Sequence, residues 1–327
     1  MTSFLTTVIP VYNGEKYLKT TLDSIAVQKR KPDRVIVLDN CSTDRSRQIA
    51  QEYRRIPVTV IKNEKNIGLF GNLNRALNFA KDTDYLHILT ADDLVLPDFF
   101  EKLISVLEDA EPVSIAFSRF ELIDSDGEKL PPWWFIDYRD NGAPPREVPL
   151  CELLDKQCQM QTVLVPAAII KTGGSQLPCS FRTDMSQVAD TIFYAELAAH
   201  CKKIVEVREI LCQYRIHPQN TTAQNVGKLD ELSAEEWEGM QIIANLFNEN
   251  KISHFFRFIK LKILHSARTE VCLEKSDLAK SEKRIARNRL IDRVGMLFWI
   301  FGFIAVKARN LYWKALRKKH TGPLGRE

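Results

Sequence analysis

Three times in its first ninety residues the chain passes from a short apolar run into a segment whose apolar residues recur at helical spacing, and a fourth apolar run follows. Leu5 to Tyr12 ends at the turn pair Asn13-Gly14, and Glu15 to Ala26 then sets Tyr17, Leu18, Leu22 and Ile25 on one helical face. Arg34 to Leu38 ends in Asp39, after which Ser42 or Thr43 is placed to cap a helix running to Tyr53. Val58 to Ile61 reads as a third strand and Leu69 to Ala80 as a third helix. Strand and helix in alternation predict an α/β fold, a mostly parallel sheet with helices on both faces. Ligands bind outside the carboxyl ends of such strands, so one rim should gather Tyr12, Asp39, Asn66 to Gly68 and Asp92.

The fourth run, Leu86 to Ala91, stops at the adjacent carboxylates Asp92 and Asp93. Two acids at a strand end suit a hard, oxygen-ligated cation, Mg²⁺ or Mn²⁺, carried on a phosphate; no Cys/His cluster lies nearby. The plainer reading is that Asp93 caps a helix opening at Leu94 to Pro97 while Asp92 is solvated. Asp39 can accept the imide N–H of uracil or thymine, which cytosine lacks, or it can close an Asx turn onto Ser42. Tyr12 offers a ring to stack on a base or to pack. Asn66, Gly68 and Gly71 allow backbone to approach a ligand, yet their spacing fits neither a dinucleotide fingerprint nor a Walker loop, which removes the usual motifs of hydride transfer and ATP hydrolysis.

Four blocks in order, Val8-Ile9-Pro10-Val11-Tyr12-Asn13-Gly14, Leu38-Asp39-Asn40-Cys41-Ser42-Thr43-Asp44, Asn66-Ile67-Gly68 with Asn72 and Ala76, and Asp92-Asp93, resemble glycosyltransferase family 2 and its GT-A fold. The resemblance extends through Val188-Ala189-Asp190-Thr191-Ile192-Phe193 to Tyr214-Arg215-Ile216-His217-Pro218 with Asn220 and Thr221, about residues 4 to 222. It implies an inverting enzyme of the hexosyltransferase type that moves a sugar from a nucleotide diphosphate, UDP or dTDP favoured, to an acceptor hydroxyl. It also implies a metal on the diphosphate and a role in surface or extracellular glycan assembly on a glycan or lipid-linked acceptor. By the same resemblance Pro10, Tyr12, Asn13, Asp39, Asn66, Gly68, Asp92 and Arg215 contact the donor; Asp92 and Asp93, joined by His217, hold the metal; and Asp190 is the base, with Asp184 in reserve. The chemistry asks for such a set, since charge grows on the departing diphosphate while the attacking hydroxyl must lose its proton. Asp190 also reads as the cap of the helix that follows it.

Two positions depart from the family pattern. Thr90 stands where the metal motif has its first acid, and Ala189 replaces the Glu that precedes the base. A donor-binding protein without turnover is therefore the alternative. A processive synthase would need several membrane spans and a Gln-x-x-Arg-Trp motif, and a sugar nucleotidyltransferase a Gly-rich, Arg-containing loop after the first strand; the sequence has none of these.

Residues 124–149 hold the hairpin signal Ser125-Asp126-Gly127 and then too many prolines for regular structure. Trp133 and Trp134 there are candidates for an acceptor's sugar or lipid, or for core plugs. Domain boundaries are expected at 1–225 for the GT-A domain and 226–327 for a helical extension, basic and apolar. Residues 251–327 carry 19 Lys/Arg against 6 Asp/Glu, a net +13, whereas residues 1–250 carry 27 against 36, a net −9. Val294 to Val306 is apolar for thirteen residues, about 20 Å of helix at ~1.5 Å per residue, short of a ~30 Å hydrocarbon core. Cationic flanks from Arg293 to Lys319 suit it to the interface of an anionic leaflet, with a core helix or an oligomer contact as the other readings. Basic residues that flank an apolar plug fit nucleic acid poorly. Seven cysteines without a C-x-x-C pair, and a chain that enters its first strand almost at once, lead us to expect a cytoplasmic protein, peripheral on the inner membrane face.

Overall fold

The computed structural model describes residues 3–132, 138–161, 163–220, 229–276 and 278–307. The chain divides into two compact units, residues 1–223 and 224–327. In the first, strands β1 (Leu5–Val11), β2 (Arg34–Asp39), β3 (Thr59–Lys62) and β4 (Tyr85–Ile88) alternate with helices α1 (Leu18–Ala26), α2 (Ser46–Glu52) and α3 (Leu69–Leu77). These strands pair in parallel in the order β3-β2-β1-β4, with Val8 opposite both Ile36 and Ile88. All seven residues of β1 are buried because helices cover both faces, and this is why it reads as a continuous apolar run. Leu18, Leu22 and Ile25 of α1 are fully buried with Ile9, Phe99 and Phe100, each such side chain contributing about 1.5–3 kcal/mol through burial.

Beyond β4 the sheet becomes mixed. β9 (Ala168–Lys171) runs antiparallel between β4 and β6 (Ser114–Ile123), and β10 (Ile204–Arg215) lies parallel to β6 with register shifts around Ile210. β5 (Leu94–Val95) and β8 (Arg146–Glu147) add antiparallel to β10, and β7 (Lys129–Leu130) to β6, making ten strands. Leu94 to Pro97 does not open a helix. Leu94 and Val95 pair with Gln213 and Cys212, and α4 begins only at Phe99 (Phe99–Ser105), since Pro97 disfavours helical backbone in the residue before it. Helices α5 (Leu150–Cys158) and α6 (Ala189–His200) pack against each other.

The second unit holds α7 (Leu229–Ala244), α8 (Lys251–Lys275), α9 (Lys280–Val294) and a helical stretch α10 over 296–307. Asn250 caps α8 by accepting the Ser253 N–H at 2.9 Å, and Gly295, at φ 94°, separates α9 from α10. α10 packs on α8 through Gly302, where a Cβ would lie 2.5 Å from the Ser266 Cβ. Trp299 donates its indole N–H to the fully buried Glu270, which Arg287 also pairs at 3.0 Å. Met296, Leu297, Ile300, Phe301 and Ile304 point to solvent. Among the described residues no helix is long and apolar enough to cross a membrane.

Candidate active site

The loops that leave β1 and β2 are bonded to each other, which fixes one side of the rim. Asn13 adopts a left-handed φ of 52°; its N–H donates to the Ser42 hydroxyl at 3.0 Å and its side-chain oxygen accepts the Thr43 N–H at 2.9 Å. Gly14 donates to the Ser46 hydroxyl at 2.8 Å, so Ser42 and Ser46 brace the β1 loop rather than merely start a helix. Tyr12 is exposed on this rim and is available to a ligand. Pro10 lies within β1, buried, beyond the point where pairing with β4 ends; the missing N–H costs nothing there, and the residue supports the loop from beneath.

Asp39 ends β2 with its side chain fully buried. One carboxyl oxygen accepts the Ser42 N–H at 2.9 Å, forming the turn that the sequence offered, and the other has no partner. A buried, unpaired oxygen costs roughly 1–3 kcal/mol or more.

Asn66 and Gly68 are held by a cluster of amides that the sequence reading passed over. Asn40 donates to the Asn66 side-chain oxygen at 2.8 Å and accepts the Ile67 N–H at 3.0 Å, Asn63 donates to Asn40 and Asn72 at 2.8 and 2.9 Å, and Asn72 returns to the Leu38 carbonyl at 3.0 Å. Gly68, at φ 78°, turns this loop into α3. The signal was present as three asparagines within the two loops and a fourth, Asn72, in the first turn of α3, but short polar side chains are too common in such places to single out a network.

The two adjacent carboxylates do different work. Asp92 remains partly open, with one oxygen 3.0 Å from His217 Nε2 and 3.2 Å from Asn220 Nδ2. The Gln219 N–H points at His217 Nδ1, 3.3 Å away, which leaves Nε2 as the protonated nitrogen donating to Asp92. Asp93 is 1 % exposed; its oxygens accept the Arg215 backbone N–H at 2.8 Å and the Thr90 hydroxyl. Burial first, and then the charge of Asp92, push its carboxyl well above the ordinary range. Asp93, expected beside Asp92 on the metal, thus joins the tail of β4 to the tail of β10. Thr90 serves the same lock, which accounts for a hydroxyl where the family pattern has an acid.

Arg215, expected at the donor, is bonded to two backbone carbonyls. Its Nε donates to the Asp92 carbonyl at 2.9 Å and one Nη to the Asp124 carbonyl at 2.9 Å, while the guanidinium lies 4.6 Å from the Tyr17 ring centre. It is a strut that sets the Asp92 backbone. Asn220, three residues after His217, accepts the His217 N–H and donates to both Asp92 and the Arg215 carbonyl, orienting acid and imidazole together.

Asp190 lies in the first turn of α6, largely buried, accepting the N–H of Thr191 at 2.7 Å and its hydroxyl at 3.3 Å. Burial raises its carboxyl to about 6, against the pull of those two donors. Asp184 is exposed and paired with Arg182 at 2.6 Å, which lowers its basicity. An aromatic stack joins α6 to the asparagine loop: Phe70 of α3 packs on Phe181 at 6.1 Å, Phe181 on Phe193 at 4.1 Å, and Asn74 exchanges two 2.7 Å hydrogen bonds with the Phe181 backbone. Trp133 and Trp134 lie outside the described residues.

Among the described residues no group of three His, Cys, Asp or Glu side chains could hold a metal by itself. Asp92 and His217 set a carboxylate and an imidazole 3.0 Å apart, two donor groups of the kind that could join phosphate oxygens and water around a divalent cation.

Residues 6–159 match the family described as Glycosyl transferase family 2. An uncharacterized glycosyltransferase of Methanocaldococcus jannaschii is 37% identical over 127 residues, 38% of this chain and 43% of that protein, so the chain spans under half the length of this relative. Staphylococcus aureus TarS, solved with UDP-GlcNAc, superposes with a TM-score of 0.57 at 17% identity over 90% of each chain. The mannosyltransferase PcManGT of Pyrobaculum calidifontis, solved with GDP-Man and Mn²⁺, gives 0.55 at 16% over 95% of this chain and 88% of that one. At these identities the likeness establishes the GT-A fold.

Proposed function

The chain belongs to glycosyltransferase family 2 through residues 6–159, and from that premise we propose that it transfers a sugar from a nucleotide diphosphate to an acceptor hydroxyl with inversion at the anomeric carbon. The observation that carries this reading is Asp92 paired with His217 beyond the carboxyl end of β4. These two residues would hold the cation, replacing their shared hydrogen bond. Bound there, Mg²⁺ or Mn²⁺ stabilises the negative charge of the departing diphosphate. Asp190 takes the proton of the acceptor hydroxyl as its oxygen attacks the anomeric carbon, the bond to the diphosphate breaks, and a carboxyl near 6 is poised for that transfer at neutral pH. Such a base favours an enzyme over a donor-binding protein without turnover.

The base is assigned to uracil or thymine on the state of Asp39. Only one of its oxygens is free, which matches the single imide N–H of those bases better than the paired N–H groups that guanine presents. The surface-glycan role rests on the family resemblance. The experiment is calorimetry with UDP and Mn²⁺ on the wild type and Asp92→Asn: metal-dependent affinity should be lost in the variant while its melting temperature is kept. Unchanged metal-dependent affinity would remove Asp92 from the site.

Membrane attachment is the second part of the proposal, and the exposed stripe of α10 supports it. Leu297, Ile300, Phe301 and Ile304 recur at helical spacing, and Ile252, Phe255 and Phe256 form a second exposed apolar group at the start of α8. Residues 251–327, at net +13, would be drawn to anionic lipid. Trp299 lies outside this stripe, bonded to Glu270; attachment would be peripheral, on the cytoplasmic leaflet, through the exposed set and the basic charge.

A further inference from the structure

Tyr17 stands where the β1 loop turns into α1. Its backbone N–H donates to the Gly14 carbonyl at 3.1 Å, and Gly14 is bonded in turn to the Ser46 hydroxyl at 2.8 Å, so the residue is anchored to the braced loops of the rim. Leu18, Leu22 and Ile25 of α1 belong to the core cluster around Ile9 and Val11, and Tyr17 does not. Its side chain is nevertheless only 7 % exposed, and two of its partners come from the far end of the sheet. The His217 imidazole lies 4.9 Å from the ring, centre to centre and tilted by 48°, and the Arg215 guanidinium lies 4.6 Å from the ring centre. These are the separations of aromatic packing and of a cation over a π face. The Lys16 ammonium is a further 4.9 Å contact of the same ring.

The imidazole of His217 hangs from its backbone on two torsions, and three contacts set them. Nε2 donates to Asp92 at 3.0 Å, the Gln219 N–H approaches Nδ1 at 3.3 Å, and the ring packs on Tyr17. In the cation-bound state proposed above the first of these is given up, and the second is long for a hydrogen bond. The packing on Tyr17 uses no lone pair and no proton, so it is the restraint that ligation leaves intact. Tyr17 also bears on the other half of the pair, because the guanidinium against its ring donates to the Asp92 backbone carbonyl at 2.9 Å. One aromatic ring therefore backs the imidazole directly and the carboxylate through Arg215. Groups that orient ligands without touching the metal govern how tightly it is held.

We propose that Tyr17 is the positioning residue of the cation pair, its ring holding His217 and, through Arg215, Asp92 in the arrangement that a divalent cation needs. The inference rests on the reading of Asp92 and His217 as that pair. The contacts are made by the ring and not by the hydroxyl, so Tyr17→Phe should keep the function and an aliphatic side chain should lose it. The test is calorimetry of UDP binding to the full chain without metal and with Mn²⁺, for the wild type, Tyr17→Phe, Tyr17→Leu and Tyr17→Met. The quantity read is the gain in UDP affinity that Mn²⁺ brings. Tyr17→Phe should show the wild-type gain, and Tyr17→Leu and Tyr17→Met a gain smaller by about tenfold or more, the scale on which ligand-orienting groups act. Metal-free UDP affinity should be unchanged in all three, which also reports that the rim has folded. An undiminished gain in both aliphatic variants, or an equal loss in Tyr17→Phe, would overturn the proposal. So would loss of metal-free affinity in both aliphatic variants, since Tyr17 would then be a structural support of the rim alone. A wild type whose UDP affinity ignores Mn²⁺ would instead overturn the cation reading itself, and this inference with it.

Discussion

Asp190→Asn should cost the protein its turnover and leave it more stable at neutral pH. The folded carboxyl titrates near 6, against 3.8 for the free side chain, a difference worth at most about 3 kcal/mol, less where solvent reaches the group. The sign follows from proton uptake. Because the folded value is raised, the native state holds the proton more tightly; that stabilisation is complete below about pH 4 and is lost as pH rises through 6. Asparagine does not ionise, and its oxygen can still accept the Thr191 N–H, so the variant escapes the loss. Its melting temperature should match that of the wild type near pH 4 and exceed it above pH 6, by roughly 2–4 °C for each kcal/mol retained. Turnover should fall about 100-fold or more, while UDP affinity is preserved. The wild-type kcat/KM should climb through pH 6 as the carboxylate forms, and this limb should vanish in the variant. Scanning calorimetry across pH 4–8 and steady-state kinetics read both effects. A helix-capping carboxylate would give the opposite stability result, about 0.3–1 kcal/mol lost in the variant at pH 7. A lower melting temperature with turnover intact refutes the assignment, and turnover lost in Asp184→Asn alone moves the base to that residue.

Removing the Asp93 carboxyl by Asp93→Ala leaves the Arg215 N–H and the Thr90 hydroxyl without their acceptor; a loss of about 2–4 kcal/mol in urea denaturation is expected, far larger than for Asp92→Ala. In Gly302→Ala the new Cβ meets Ser266 and the backbone of Ala267, so about 1–3 kcal/mol of destabilisation from overpacking is expected, visible as faster amide exchange in α10. Phe301→Ser with Phe255→Ser should shift the protein from the pellet to the supernatant in co-sedimentation with anionic vesicles at low salt and leave circular dichroism unchanged; sedimentation indifferent to lipid charge would reject an electrostatic contribution.

Much of the first half of the sheet could be read from the chain because burial on both faces writes itself as uninterrupted β-branched and aliphatic runs, as in Leu5 to Val11. β9 could not. Four residues following Pro166 carry no periodicity, and the strand exists only because β4 and β6 present edges to it. The site divides along similar lines. Asp39 and Asp92 stand at strand ends that local pattern predicts, so their place on the rim followed directly. The difference between Asp92 and Asp93 did not, since two neighbouring carboxylates look alike until Arg215, more than a hundred residues away, donates to one of them. Arg215 was expected at the donor by resemblance; its backbone carbonyl partners are a tertiary fact that no local spacing records.

The separation of 125 residues between Asp92 and His217 has a consequence for how the protein is born. At ~5–20 residues per second, the imidazole leaves the ribosome on the order of ten seconds after the acid. During that interval the parallel strands and their loops can close on a growing chain, while Asp92 lacks its imidazole and Asp93 the backbone N–H from Arg215 that holds it in place. A nascent or truncated protein ending before β10 would carry the β1, β2 and β3 loops without the Asp92–His217 pair. On the proposed function it would hold donor weakly and transfer nothing until the last strand of the sheet has been laid down.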